Sequence, residues 1–171
     1  MKKFELTAEF VTNVFGKKLF RIKALVAFGN IEKGELGGFI EKEDNLSHAG
    51  NAWVSGNAWV SGNAWVSGNA QVSGNAQVFG NAQVFGNAQV SGDAQVFGNA
   101  DYAVVAGFGR YFRTTTFFRC KDKILRVQCG CFYGDLAQFR EIVKKTHGDS
   151  KYAKEYLAIA DLMELHFSDE C

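Results

Sequence analysis

Three histidines, His48, His147 and His166, are the side chains best placed to exchange protons near neutral pH. A neutral imidazole can take the proton of a hydroxyl group, so each is a candidate general base. His48 alone lies beside the repeats described below, in the degenerate hexad NLSHAG, at the position that valine holds in later hexads. That position predicts an inward or coil-end side chain. We therefore expect His48 to cap or fill the core, and we keep a catalytic role as the alternative.

Thiol chemistry is confined to the last third of the chain, at Cys120, Cys129, Cys131 and Cys171. Thiolates bind soft metal ions, but Cys129-Gly130-Cys131 lacks the usual C-x-x-C spacing and has no fourth ligand nearby. A cysteine on a strand packs as a small apolar residue. We expect reduced thiols, no metal and no cofactor; Cys120, if exposed, would be able to cross-link across its hairpin.

A basic and aromatic segment spans 108–126, where six basic residues face a single acidic one, Asp122. Grooves that bind nucleic acid combine phosphate neutralisation with base stacking. The alternative is a hairpin whose phenylalanines face the solenoid and whose basic groups face water. The candidate nucleic-acid contacts are Arg110, Tyr111, Arg113, Arg119, Lys121, Lys123 and Arg126.

Eight uninterrupted hexads from Asn51 to Gly98, of the form NA(W/Q)V(S/F)G, dominate the chain. Within each hexad, alanine and valine alternate with polar or aromatic residues, which is the period of a strand. Glycine followed by asparagine then makes a bend, because glycine adopts positive φ without a steric penalty. Six residues leave no room for antiparallel hairpins, so the backbone must pair with the coils above and below. The pattern predicts a left-handed parallel β-helix of about three coils, in a mainly β protein.

With three strands per coil, residues eighteen apart stack on one face, and the alanines and valines point inward. The outward positions define three faces: the first with Trp53, Ser55, Gln71, Ser73, Gln89 and Ser91; the second with Trp59, Ser61, Gln77, Phe79, Gln95 and Phe97; the third with Trp65, Ser67, Gln83 and Phe85. The only charged residue among the hexads is Asp93. Such uncharged aromatic surface invites association. We expect an interface at Trp53, Trp59, Trp65, Phe79, Phe85 and Phe97, or terminal segments that cover the second face; both bury Phe79 and Phe97.

The flanks of the repeats give a three-part organisation, with a cap in 1–44, the solenoid in 45–104 and an appended segment in 105–171. Alternation from Lys3 to Leu25 predicts a β-hairpin that turns near Gly16 and caps the first coil, followed by an irregular lead-in strand at Glu35 to Ile40. A second hairpin is predicted from Thr114–Cys120 and Ile124–Cys131. Two helices follow, from Asp135 to about Thr146 and from Asp149 onward, and we expect them to pack on the last coil or on the hairpin.

Charge and hydropathy narrow the class of protein. The 171 residues carry a formal net charge of +1, which gives no overall attraction to nucleic acid or anionic membrane. No apolar run has the length of a signal peptide core or a membrane span. We expect a cytoplasmic protein without membrane contact.

Rewritten as VSGNAW, the hexad resembles that of the trimeric transferase-type left-handed β-helices. That resemblance implies an acyltransferase alternative, with an inter-subunit cleft where His48 would activate a hydroxyl for attack on a thioester. However, no loop interrupts the hexads to build a cleft. The phrases GELGGFIEKEDNLSHAGNAWVSGNAWV, CGCFYGDLAQF and HGDSKYAKEYLAIADL are similar to hexapeptide-repeat proteins of gut bacteria and their phages. This second resemblance implies a role in phage biology, including inhibition of a host defence system. We expect a non-catalytic binding or assembly protein that meets a protein partner, with a homo-oligomer, trimer or dimer, as one form.

Overall fold

A computed structural model describes residues 1–168, which form fifteen strands and two helices. The flanking strands are longer than those of the repeats. The strands are β1 (Phe4–Thr12), β2 (Lys18–Ala24), β3 (Leu36–Ile40), β4 (Trp53–Val54), β5 (Trp59–Val60), β6 (Trp65–Val66), β7 (Gln71–Val72), β8 (Gln77–Val78), β9 (Gln83–Val84), β10 (Gln89–Val90), β11 (Gln95–Val96), β12 (Tyr102–Phe108), β13 (Arg113–Arg119), β14 (Leu125–Cys129) and β15 (Phe132–Asp135); the helices are α1 (Leu136–His147) and α2 (Lys151–His166).

The eight hexads form a parallel β-solenoid of about three coils, as the repeat predicts. Strands β4 to β8 each pair in parallel with the strand eighteen residues further on, so that Trp59 lies beside Gln77 and Gln77 beside Gln95. The alanines and valines of all eight hexads are at most 1% exposed and fill the interior. The hexad-ending glycines from Gly56 to Gly92 adopt φ between 60° and 66°, which lets every bend turn without a Cβ clash.

The N-terminal segment extends the second face and closes the first coil. Strands β1 and β2 form the predicted hairpin, and β3 joins them to the solenoid in a six-stranded sheet of order β1-β2-β3-β5-β8-β11. Phe4 and Ile22 are fully buried in one core with the coil valines. The Lys3 ammonium donates a 2.7 Å hydrogen bond to the Ala52 carbonyl, so the cap also satisfies backbone acceptors of the first coil.

A four-stranded antiparallel sheet of order β12-β13-β14-β15 closes the other end. Its central strand β13 turns alternate side chains to opposite sides, as strands do. Phe118 joins the solenoid core, whereas Phe117 joins a second core with both helices. Two hydrogen bonds of 3.0 Å join the last coil to this sheet. The Gln89 N–H donates to Thr116 Oγ1, and the Lys121 N–H donates to the Asp93 carbonyl. The hairpin β13–β14 was predicted; β12 and β15 were not.

Both predicted helices are present, and they pack on this sheet. The Asp135 side chain accepts from the Gln138 N–H and caps α1, and Gly148 ends α1 with a φ of 57°. Ser150 caps α2 by accepting from the Ala153 N–H. Because the helices lie on the side of the sheet away from the coils, they do not cover the faces of the solenoid.

Candidate functional site

The most apolar surface of the solenoid is a column of aromatic rings on its second face. Trp59, Phe79 and Phe97 follow one another from coil to coil, with ring centroids 5.7 Å and 5.2 Å apart. Phe15, from the tip of the N-terminal hairpin, adds a fourth ring 5.8 Å from Phe79. We call these four residues the aromatic ladder. Offset and edge contacts of this kind hold the rings in fixed positions.

Two of the four rings of the aromatic ladder are exposed in the single chain. Phe97 and Phe15 are each 62% exposed, and Trp59 and Phe79 are half-buried. The described terminal segments cover the second face only in part: the hairpin tip reaches Phe79, Arg119 and Lys123 line a pocket beside Phe79 and Phe97, and α1 and α2 pack on the end sheet. The hypothesis that the terminal segments bury Phe97 is therefore wrong for the described residues, whereas its burial in a subunit interface stays a prediction.

On the first face, Trp53 departs from the prediction because it is only 1% exposed. The loop before β3 folds over it and places Phe28 at 5.3 Å in an edge contact. Gly37 passes close to the Trp53 ring, where any larger residue would clash with it. Trp53 is thus part of the N-terminal cap and does not offer an exposed interface. On the third face, Trp65 and Phe85 are exposed as predicted, at 44% and 59%.

His48 lies in the N-terminal cap, with both ring nitrogens engaged. Its Nδ1 accepts the backbone N–H of Lys3 at 3.1 Å, so Nε2 carries the proton and donates it to Glu43 Oε1 at 2.7 Å. The ring also stacks on Phe4 at 4.2 Å. Hydrogen bonds from His48 and Lys2 lower the pKa of Glu43. A general base needs a free lone pair that faces a substrate. Because both ring nitrogens of His48 are engaged inside the cap, His48 acts here as a capping residue.

The seven candidate nucleic-acid contacts divide between the two ends of strand β13. Arg110, Tyr111 and Arg113 lie at the β12–β13 turn, whereas Arg119, Lys121, Lys123 and Arg126 lie around the β13–β14 turn. At about 3.3 Å per residue, the seven residues of β13 separate the groups by roughly 20 Å. The basic residues that are close in the sequence therefore form two separate groups in the fold.

Carboxylates already neutralise part of the second group. Arg126 is 2.7 Å from Asp122, and Arg119 is 3.5 Å from Asp101. The pKa of Asp122 is lowered by the Ile124 backbone N–H and by Arg126. The hairpin alternative is only partly right about the phenylalanines, since Phe118 faces the solenoid and Phe117 faces the helices.

The three cysteines that the structure describes are free thiols in differing environments. Cys120 is buried and pairs with Ala94 of the last coil, and burial raises the pKa of its thiol. Its exposed alternative, with cross-linking across the hairpin, is wrong. Cys129 is half-buried and Cys131 exposed, while Cys171 lies outside the described residues. Among residues 1–168, no group of three or more histidine, cysteine or acidic side chains is placed to hold a metal ion.

Sequence reasoning missed a pocket of about 240 Å³ between the end sheet and the two helices. Its residues come from β14, β15, α1, α2 and the β12–β13 turn, five segments whose convergence no local pattern reveals.

Neither helix in the described part of the chain is long and apolar enough to span a bilayer.

Comparison with known families agrees with the geometry of the coils. Segments 52–68, 70–86 and 76–92 match the family described as YdcK Beta solenoid repeat. All three segments lie within the hexads, and the caps lie outside the matches. No curated protein matches the chain. The matched repeats and the three-coil parallel architecture together make this chain a β-solenoid repeat protein.

Proposed function

We propose that this chain is a non-catalytic assembly protein that associates with a second copy of itself through the aromatic ladder. The observation that carries the proposal is the column of Phe15, Trp59, Phe79 and Phe97, of which Phe15 and Phe97 are 62% exposed, beside hexads whose only charged residue is Asp93. Large contiguous apolar surfaces are uncommon on monomeric proteins and mark sites of association. Burying one phenylalanine side chain contributes about 1.5–3 kcal/mol, so the ladder can drive dimerisation.

A second copy is the partner that fits the ladder by shape and charge. Trp59 lies on β5, and Phe79 and Phe97 directly follow β8 and β11, so the rings of an identical ladder repeat with the same spacing between coils, about 4.7–4.9 Å. Asp93, the only charged residue of the hexads, sits in a bend, and the charged residues beside Phe79 and Phe97 are of both signs, Asp101 with Arg119 and Lys123. A two-fold axis brings the same patch of each copy into contact, which is the commonest symmetry of soluble oligomers.

The acyltransferase alternative finds less support. His48 has both ring nitrogens engaged within the cap, and the hexads run without an inserted loop. The nucleic-acid alternative is weakened by the division of the basic residues between two ends of a strand.

The resemblance to proteins of gut bacteria and their phages supports a role for the assembled protein in phage biology, with a host defence protein as its target. The exposed Trp65 and Phe85 of the third face would then be the surface left for that target.

The test is the solution mass, by light scattering on a sizing column, of the wild type and a Phe79→Ser/Phe97→Ser variant. We expect twice the 18.8 kDa chain mass for the wild type and a monomer for the variant. Phe85→Ser is the matched control, because Phe85 occupies the same hexad position on the third face and is equally exposed. A monomeric wild type, or a control that dissociates as fully as the variant, would overturn the proposal.

A further inference from the structure

The pocket in the C-terminal part of the chain has apolar, largely aromatic walls. Phe132, Phe139, Val143 and Tyr156 line it, and Cys129 contributes from strand β14. Phe139 and Val143 are almost fully buried, and Phe139 packs on Phe132 and Tyr156 at 5.7 Å and 5.8 Å. The walls are thus held by the core between sheet and helices, so the cavity is preformed rather than opened by a ligand.

Two guanidinium groups stand at the mouth of this pocket. Arg110 and Arg113 both lie over the ring of Tyr111, at 5.7 Å and 5.2 Å from its centroid. These cation–π contacts hold each guanidinium within 6 Å of the Tyr111 ring, and all three side chains line the pocket. Neither arginine forms an ion pair with any described residue, in contrast to Arg119, Arg126 and Arg140.

The titratable groups that line the interior include Tyr156 and His147, whose rings are 5.9 Å apart. Burial and the neighbouring Cys129 thiol raise the pKa of the Tyr156 hydroxyl to about 12, so it stays protonated at neutral pH. No carboxylate from residues 1–168 lines the pocket. Glu155 lies close enough to Tyr156 to influence it, but one of its oxygens is held by the Gly109 N–H at 2.8 Å. A ligand therefore meets apolar walls, the His147 imidazole and the two guanidinium groups, and no carboxylate from the described residues.

We propose that this pocket binds a small aromatic carboxylate, with its ring against Phe132, Phe139 and Tyr156 and its carboxylate between Arg110 and Arg113. Arginine binds carboxylates through parallel N–H donors, which fixes the orientation of the acid. At about 240 Å³ the pocket is below the usual range of roughly 300–1,000 Å³ for drug-sized ligands, which suits a single ring with a short acid side chain.

The probe pair is 3-phenylpropionate and its neutral amide, 3-phenylpropanamide, titrated by calorimetry into the full chain. We expect the acid to bind about tenfold more tightly than the amide, a difference of about 1.4 kcal/mol, because hydrogen bonds to a charged group are stronger than those to a neutral one. In Arg110→Gln/Arg113→Gln this preference should disappear while weak binding of both compounds remains. Ile142→Trp, which fills the mouth from α1, should abolish binding of both.

Lys121→Gln/Lys123→Gln is the matched control, because it removes the same charge from the far end of β13. It should bind both compounds as the wild type does. Circular dichroism of each variant establishes that the fold is intact. No saturable binding of the acid by the wild type, equal affinity for acid and amide, or equal loss in the lysine control would overturn the proposal.

Discussion

Val78 offers the sharpest test of the coil interior. It is fully buried in the middle coil, between Val60 and Val96 of the adjacent coils. Replacing it with alanine removes two methyl groups, which is about 1.6 kcal/mol at roughly 0.8 kcal/mol per buried carbon. The narrow solenoid cannot collapse around the gap, so the cavity adds to this loss and we expect a total of about 2–3 kcal/mol.

The assay is urea unfolding followed by circular dichroism, with an unchanged slope and a lowered midpoint as the expected result. Gln83→Ala is the control, because Gln83 is exposed on the same coil and its loss should change the free energy of unfolding by less than about 0.5 kcal/mol. Val78→Asp should prevent folding altogether, because it buries an unpaired charge. A soluble, cooperatively melting Val78→Asp variant, or equal losses in Val78→Ala and Gln83→Ala, would refute the register.

Two further predictions concern the bends and the N-terminal cap. Gly68 and Gly86 share a φ of +66°, so alanine at either position should lower the free energy of unfolding by about 1–2 kcal/mol. Gly68→Ala should cost more, because its Cβ would lie 3.0 Å from the Gly86 nitrogen, whereas the Cβ of Gly86→Ala meets nothing within 4 Å. Urea unfolding midpoints of the two variants measure this difference, and equal losses would contradict the stacking of coils. Burial lowers the pKa of Lys3 to about 8 in the folded chain, against 10.5 for the ordinary side chain. Between these two pH values the unfolded chain binds one proton more than the folded chain, so the stability of the wild type relative to Lys3→Met should rise with pH. A stability difference that stays flat across this window in thermal melts would show that the ammonium is not desolvated.

The coils were predictable because the same local pattern occurs in all eight hexads. Ala and Val alternate inward, Gly supplies the positive φ, and the eighteen-residue stacking places Phe79 and Phe97 in one column on the face that carries Trp59. The helix ends were equally readable, since Asp135, Gly148 and Ser150 act within one turn of the backbone. Local signals of this kind survive in the folded chain because tertiary packing does not oppose them.

The parts that the sequence did not reveal depend on contacts between distant segments. Phe28 covers Trp53 because the loop before β3 folds over the first face, and no repeat pattern encodes that path. Strand β12 contains two adjacent valines and a glycine, and β15 has four residues, so neither shows a clear alternation. The pocket arises only when Arg113 and Tyr156, more than forty residues apart, meet across the end sheet.

Disulfide trapping tests the central claim, the meeting of two aromatic ladders, most directly. In a background where Cys131 and Cys171 are serine, Gln77→Cys places a thiol on the middle coil of the second face, and Gln83→Cys places one at the same hexad position on the third face. Under mild oxidation at low protein concentration, the proposed two-fold dimer predicts a covalent dimer for Gln77→Cys and monomer for Gln83→Cys. Equal yields from the two positions, or no covalent dimer from Gln77→Cys, would contradict assembly through the aromatic ladder.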